Sequence, residues 1–347
     1  MNAIDAYWKA LGRGIEAGLQ GGDPVDARFA DIATAVLRSV PAPRVTAAAI
    51  ADWMIEEGTL PDQVNFYSGF GEPPLVVYQT DAFYIEVLFW FPGPTSIHGH
   101  GFQGAFVVLD GFSIQVDYEF HEHTAPEEGV RLGRLEPHGI EFIAPGKVCA
   151  ILRGTGFIHS VTHLGNPSLT LVARTYGNPK QPQFRYHRCG FAVLCGIRRP
   201  QVTRQAEVLA ALYAAAPAEF PARLSRLLER MNDVDFYSLV EALLGLLRVN
   251  VFTGDVLPVI EAQFAAKRPE VVAAVRERVR TRNIWAAARA FPNTAAQVQC
   301  ALADAFPDAA ERTALLCRSY GVTEARNLPA PWRDLVCGNG AEGTQST

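Results

Sequence analysis

The sequence predicts an α+β chain: a central antiparallel β-barrel of jelly-roll type, with N-terminal helices before it and a C-terminal all-α region after it. Three observations carry this. From about residue 75 to 175, short β-branched and aromatic runs are separated by Gly, Pro, Asp or Asn. Before and after that stretch, apolar residues recur at helical spacing. All eight histidines (His98, His100, His121, His123, His138, His159, His163 and His187) fall in one central segment, so imidazole chemistry belongs to the β-rich part.

With 347 residues, 49% of them apolar, the chain can bury a substantial core, as two domains or one enlarged one. The expected division is a helical segment over 1–74, a barrel over 75–198, a helical domain over 199–337 and a disordered tail over 338–347. A net charge of −5 without any Lys/Arg block offers nucleic acid no footprint. Met1-Asn2-Ala3-Ile4-Asp5 does not read as a leader, and no run of about 18 apolar residues occurs, so a cytoplasmic protein without a membrane partner is expected. Cys149, Cys189, Cys195, Cys300, Cys317 and Cys337 are scattered without CxxC pairs, which suits reduced thiols; Cys189 and Cys195 are the one conceivable pair.

Taken in order, Ile4, Tyr7, Trp8, Leu11, Ile15 and Leu19 mark a helix over 3–20, closed by Gly21-Gly22. A second follows Pro24 and stops before Pro41 and Pro43; Thr46 caps a third carrying Ile50, Trp53 and Met54. Strands are expected at 76–78, 83–90, 105–109, 112–120, 140–143, 148–152 and 169–175, with Asp110-Gly111 as a hairpin turn. Helices are expected at 203–215, 221–231, 234–249, 257–267, 269–282, 294–306 and 309–320. They suit a small bundle that covers the barrel mouth or forms a homodimer interface, and they hold no catalytic constellation.

His98-Gly99-His100 follows a Pro/Gly turn. Alternate strand residues share a face, which sets the two imidazoles roughly 7 Å apart on one side. A third metal ligand must come from another strand, and His159, behind Gly154 and Gly156, is the best candidate.

These residues resemble the cupin superfamily. Gly93, His98, His100 and Gly111 are similar to its first motif; Pro145-Gly146, His159 and Asn166 are loosely similar to its second. Gln103, Gly104 and Ala105 stand where the family has a glutamate. Among cupins, three histidines without that carboxylate resemble the thiol dioxygenases that act on cysteine or 3-mercaptopropionate. Phe89-Trp90-Phe91-Pro92-Gly93 is similar to their lead-in, Ile158-His159-Ser160-Val161 to their third-ligand segment, and Tyr176-Gly177 to the tyrosine closing their hydrogen-bond network. The likeness spans about residues 75 to 180. It departs in three places: no arginine lies between Arg44 and Arg131 to clamp a carboxylate, Arg174 replaces the network histidine, and Ala105 replaces the cross-linking cysteine.

The resemblance implies an oxygenase with Fe(II) on His98, His100 and His159, with zinc, manganese or nickel as alternatives. Its substrates would be dioxygen and a small thiol or related metal-chelating molecule. Tyr176, Arg174 and Gln103 are the expected catalytic or substrate-orienting residues, with structural pairing of Arg174 and core hydrogen bonding of Gln103 as the plainer alternatives. Two other readings stay open: a redox-neutral metal-dependent isomerase or lyase, and a non-enzymatic ligand sensor. His121 and His123 read as a polar hairpin end, His163 as a surface or turn histidine with support of the site as the alternative, and Phe89, Phe91, Phe102, Phe106 and Phe157 as core.

Overall fold

A computed structural model of the chain, describing residues 3–20, 25–57, 59–64, 71–178, 180–195, 199–288, 294–306, 308–329 and 332–333, has the expected mixed architecture. Helices α1 (Ala3–Leu19), α2 (Val25–Ser39) and α3 (Ala47–Glu57) come first. The strands are β1 (Pro74–Gln79), β2 (Phe83–Trp90), β3 (Gly93–Pro94), β4 (Ile97–His100), β5 (Gly104–Asp110), β6 (Ser113–Glu127), β7 (Val130–Ile143), β8 (Val148–Ile151), β9 (Gly154–His163), β10 (Ser168–Thr175), β11 (Phe184–Tyr186) and β12 (Phe191–Leu194). Then follow α4 (Pro200–Ala215), α5 (Phe220–Leu228), α6 (Asp233–Leu246), α7 (Val249–Val251), α8 (Leu257–Phe264), α9 (Pro269–Ala288), α10 (Thr294–Ala305) and α11 (Ala309–Ser319). The tail over 338–347 and Cys337 lie outside the described residues, as does the Gly21-Gly22 stop. No disulfide joins the described cysteines. No helix among the described residues is long and apolar enough to cross a membrane.

The chain divides into two compact units. One comprises Met1–Glu119, Pro137–Gln183 and Pro292–Thr347; the other comprises Phe120–Glu136 and Phe184–Phe291. The long strands β6 and β7 contribute residues to each.

In the first unit a sheet runs in the order β1-β2-β10-β5-β8. Its strands are apolar on both faces because both faces are covered. Phe83, Ile85 and Val87 of β2, Val107 and Leu109 of β5, and Leu169 and Leu171 of β10 pack against Trp8, Leu11, Ile15, Phe29 and Trp53 of the N-terminal helices. The alternate residues Leu88, Phe106, Val108 and Val172 face inward and pack with Ile143 of β7 and Val161 of β9. On the facing layer β9 lies between β3 and β4 on one edge and β6 on the other. Near its far end Ile140 N donates to Ser319 Oγ (3.1 Å), and Phe142 stacks on Trp332 at 4.0 Å.

Gly111 takes φ +77°, where a side chain would be strained, but the hairpin expected at Asp110-Gly111 does not form. β5 pairs with β10 and β8, whereas β6 pairs with β9, so the turn carries the chain between layers and makes no hairpin. The Thr46 cap is present: Thr46 Oγ1 accepts from Ala49 N at 3.2 Å at the start of α3. Thr46→Ala should therefore cost about 1 kcal/mol of stability, read as a lowered urea midpoint at constant slope.

In the second unit β12 pairs with β11 and β7. Val130, Phe191 and Val193 of that layer share a core with Leu224, Phe236, Leu243, Phe264 and Val275 of the helices. Arg185, just inside β11, binds Glu241 of α6, which also accepts from Arg278 Nε of α9 at 3.1 Å. His187 is buried beside Glu277, with 3.7 Å between Nδ1 and the carboxylate.

Candidate metal centre

β4 and β9 are antiparallel neighbours, with His98 opposite His159. A regular ladder would then set His100 opposite Phe157; instead its partner is Gly154, so the ladder is interrupted between the two histidines. Glycines at 154 and 156 suit that irregular stretch, Gly154 at φ +70°. The three rings converge: centroids lie 4.8 Å apart for His98 and His100, 4.7 Å for His98 and His159, and 5.1 Å for His100 and His159. One nitrogen from each lies within 4.8 Å of the others, and each residue is 5% exposed.

Hydrogen bonds fix which nitrogen faces the centre. His98 Nδ1 lies 2.8 Å from Ser96 O, His100 Nδ1 3.3 Å from Phe157 O, and His159 Nδ1 3.4 Å from Gln115 Oε1. Each acceptor is a carbonyl oxygen, so each Nδ1 carries the proton and each Nε2 keeps its lone pair. Three buried lone pairs held together in this way can serve as the donor set of a metal ion, with the outer hydrogen bonds that metal-binding imidazoles characteristically make. Burial, reinforced by neighbouring imidazoles, holds His100 and His159 well below the usual histidine range, so both are neutral near pH 7. The cluster can hold a metal ion, and it contains no carboxylate.

Aromatic rings close round it. Phe157 lies 4.3 Å from His159 and 5.6 Å from His100, Phe102 meets His100 edge-on at 5.1 Å, and Phe106 is 6.3 Å from His159. Phe102 and Phe106 are buried as expected, whereas Phe91 is 53% exposed at the end of the apolar run and fills no core.

Arg174, on the inner face of β10, pairs with Glu86 at 3.2 Å and lies over the Phe102 ring at 3.4 Å. Tyr176 donates to Thr80 O at 2.8 Å and accepts from Gln79 Nε2 at 3.0 Å, and its ring packs 5.2 Å from Tyr84. Gln103 N donates to Thr175 Oγ1 and Gln103 O accepts from Thr175 N, while its side-chain Oε1 is buried without a protein partner. His121 is paired with Glu136 at 3.3 Å and His123 is exposed, as expected of a polar stretch.

The surface position expected for His163 is overturned. It is 3% exposed, stacks on Trp90 at 4.4 Å, bonds Ser113 Oγ at 3.0 Å, and is pushed down to about 3 by burial. The stretch 154–163 stays extended through His163, so the residue faces inward with His159 and Val161 rather than entering the following turn.

Three further residues at the site escaped the sequence reading: Glu86, Gln115 and Asp117. Signals for them existed. Glu86 is the one charge in the run Phe83–Trp90, and a lone charge in a strand buried on both faces demands a partner. Gln115 and Asp117 alternate with Ile114 and Val116, which marks a polar face shared with Ser113.

No protein-family model matches the chain, and no curated protein matches it significantly. Among solved structures it is similar to hydroquinone 1,2-dioxygenase PnpCD in complex with Cd2+ and 4-hydroxybenzonitrile, at 17% identity and a TM-score of 0.23. That match covers 29% of this chain and 63% of that one. It is also similar to the DMSP lyase DddQ from Ruegeria pomeroyi DSS-3, at 16% identity and a TM-score of 0.26 over 52% of this chain and 95% of that one. A conserved protein with a double-stranded β-helix domain from Klebsiella pneumoniae is similar at 16% identity and a TM-score of 0.22, over 44% of this chain and 98% of that one.

Proposed function

We propose that the chain is a mononuclear metal-dependent oxygenase, with Fe(II) held by His98, His100 and His159, acting on a small thiol or related metal-chelating substrate. One observation carries the reading: three buried imidazoles, each with Nδ1 committed to a carbonyl oxygen, converge without a carboxylate among them. Three neutral ligands leave a divalent ion its full charge and open positions, which favours an anionic ligand such as a thiolate together with dioxygen.

The protein's own part is placement and exclusion of water. Phe102, Phe106 and Phe157 keep the chamber apolar, which strengthens every charge interaction inside it. Arg174, braced by Glu86 and by the Phe102 face, offers its cation to the polar tail of a substrate whose other end lies at the histidines. Glu86 already offsets most of that charge, which favours a zwitterionic or neutral tail over a bare carboxylate. Tyr176 holds the end of β10 to the Gln79–Thr80 segment. Gln103, beside that end, is the remaining candidate for a hydrogen bond to substrate.

The test is metal analysis of protein purified without oxygen, followed by oxygen uptake with a panel of thiols. About one equivalent of iron and thiol-dependent oxygen consumption are expected. Zinc at full occupancy with no oxygen uptake would overturn the oxygenase reading and favour redox-neutral chemistry on the same histidines.

A further inference from the structure

The carboxylate missing from the ligand set has a counterpart one layer behind it. His98 and His100 each donate Nδ1–H to a backbone carbonyl, and those paths end on neutral groups. The path from His159 is different. Its Nδ1 meets Gln115 Oε1 at 3.4 Å, and Gln115 Nε2 donates to Asp117 Oδ1 at 3.0 Å. An ionised carboxylate only accepts, so the amide has one orientation: nitrogen toward Asp117, oxygen toward His159. Strand register sets this up, because β6 pairs Asp117 with His159 and Gln115 with Val161, which leaves Gln115 reaching along the ladder between them.

We propose that Asp117 supplies, through the Gln115 amide, the negative charge that the three-histidine ligand set lacks, and so acts as a positioning residue that tightens metal binding at His159. The inference rests on the metal reading above. Polarising the amide toward the imidazole makes its Nε2 a stronger donor and holds the ring in one tautomer. Asp117 is surrounded by mixed charge: His138 and Lys147 favour its ionised form, while Glu141, itself bonded to Lys147 at 2.7 Å, opposes it. Burial is the largest influence and leaves the Asp117 carboxyl above its usual value, against the pull of His138, the bond from Gln115 and Lys147. The arrangement therefore brings a carboxylate's influence to the centre without using a coordination position.

The test is Co(II) titration of the metal-free protein, followed by visible absorption, for wild type, Asp117→Asn, Gln115→Leu and the double variant. Asp117→Asn keeps shape and an oxygen acceptor for Gln115 while removing the charge, and its metal-free thermal midpoint checks that the fold is intact. Roughly 10- to 100-fold weaker Co(II) binding is expected in each single variant. The double variant should be no weaker than Gln115→Leu, because both changes cut one path. Asp117→Asn binding like wild type overturns the relay, as does Gln115→Leu binding like wild type or two losses that multiply. A wild type that takes up no Co(II) overturns the metal site and the relay with it.

Discussion

Alanine at His159 should abolish metal binding by the three-histidine cluster. An outer hydrogen-bond partner is worth roughly 10- to 100-fold in affinity, and a direct ligand is worth more, so at micromolar protein and metal no stoichiometric binding should remain. Calorimetric titration of wild type, His98→Ala and His159→Ala with a divalent metal reads this directly. A second readout comes from linkage. Metal at about 100 times its dissociation constant stabilises the native state by about 2.7 kcal/mol, and that gain should vanish in either variant while the metal-free midpoints stay comparable. Both positions are needed because they sit on different strands, His98 on β4 and His159 on β9, and a site built by the register of those strands fails when either arm is lost. Metal binding unchanged in both variants would sink the site.

Much of this arrangement was legible beforehand, for identifiable reasons. Helical stripes such as Ile4, Tyr7, Trp8, Leu11 and Ile15 are all buried on one face, and every C-terminal helix expected from periodicity exists, with ends within three residues of those expected except that α9 runs on to Ala288. His98 and His100 were readable because the period of two is strict enough to place both on one side, and His159 because glycines precede an imidazole at a strand entry. What escaped was long-range. The outer parts of β6 and β7 carry Glu122, Arg131, Arg134 and Glu136, so neither face shows an apolar stripe to mark a strand. The pairing of β5 with β10 rather than with β6 is a matter of topology, on which a two-residue turn is silent. Gln115 and Asp117 were hidden by the same gap: their role follows from lying beside His159 in the ladder, which no local pattern shows.

Replacing Glu241 with leucine will be among the most destabilising surface-distant changes in the helical unit. Glu241 binds Arg185 and, at 3.1 Å, Arg278, and the three side chains are 18 to 31% exposed. Loss of the carboxylate leaves two guanidinium groups facing each other in a half-buried site. Breaking a fully buried pair costs roughly 3–5 kcal/mol, and partial exposure reduces this to about 2–4 kcal/mol. Acid gives the same answer by a separate route. Burial pushes the Glu241 carboxyl up, but Arg185 and Arg278 outweigh it and hold it down at about 2, below the unfolded value near 4.5. A group depressed on folding stabilises the native state above its unfolded pKa and loses that contribution as pH falls through its folded one. Wild type should therefore lose stability between about pH 4.5 and about 2, and Glu241→Gln, which keeps the shape without the charge, should show a shallower loss over that window. His187, buried neutral beside Glu277 and held below the usual histidine range mainly by burial, adds a separate loss that begins nearer pH 6.5. Urea midpoints at pH 7, 4.5 and 3 separate the two contributions. Equal midpoints at pH 7 and parallel acid slopes for wild type and Glu241→Gln would show that the Arg185–Glu241–Arg278 group adds nothing to the stability of the helical unit.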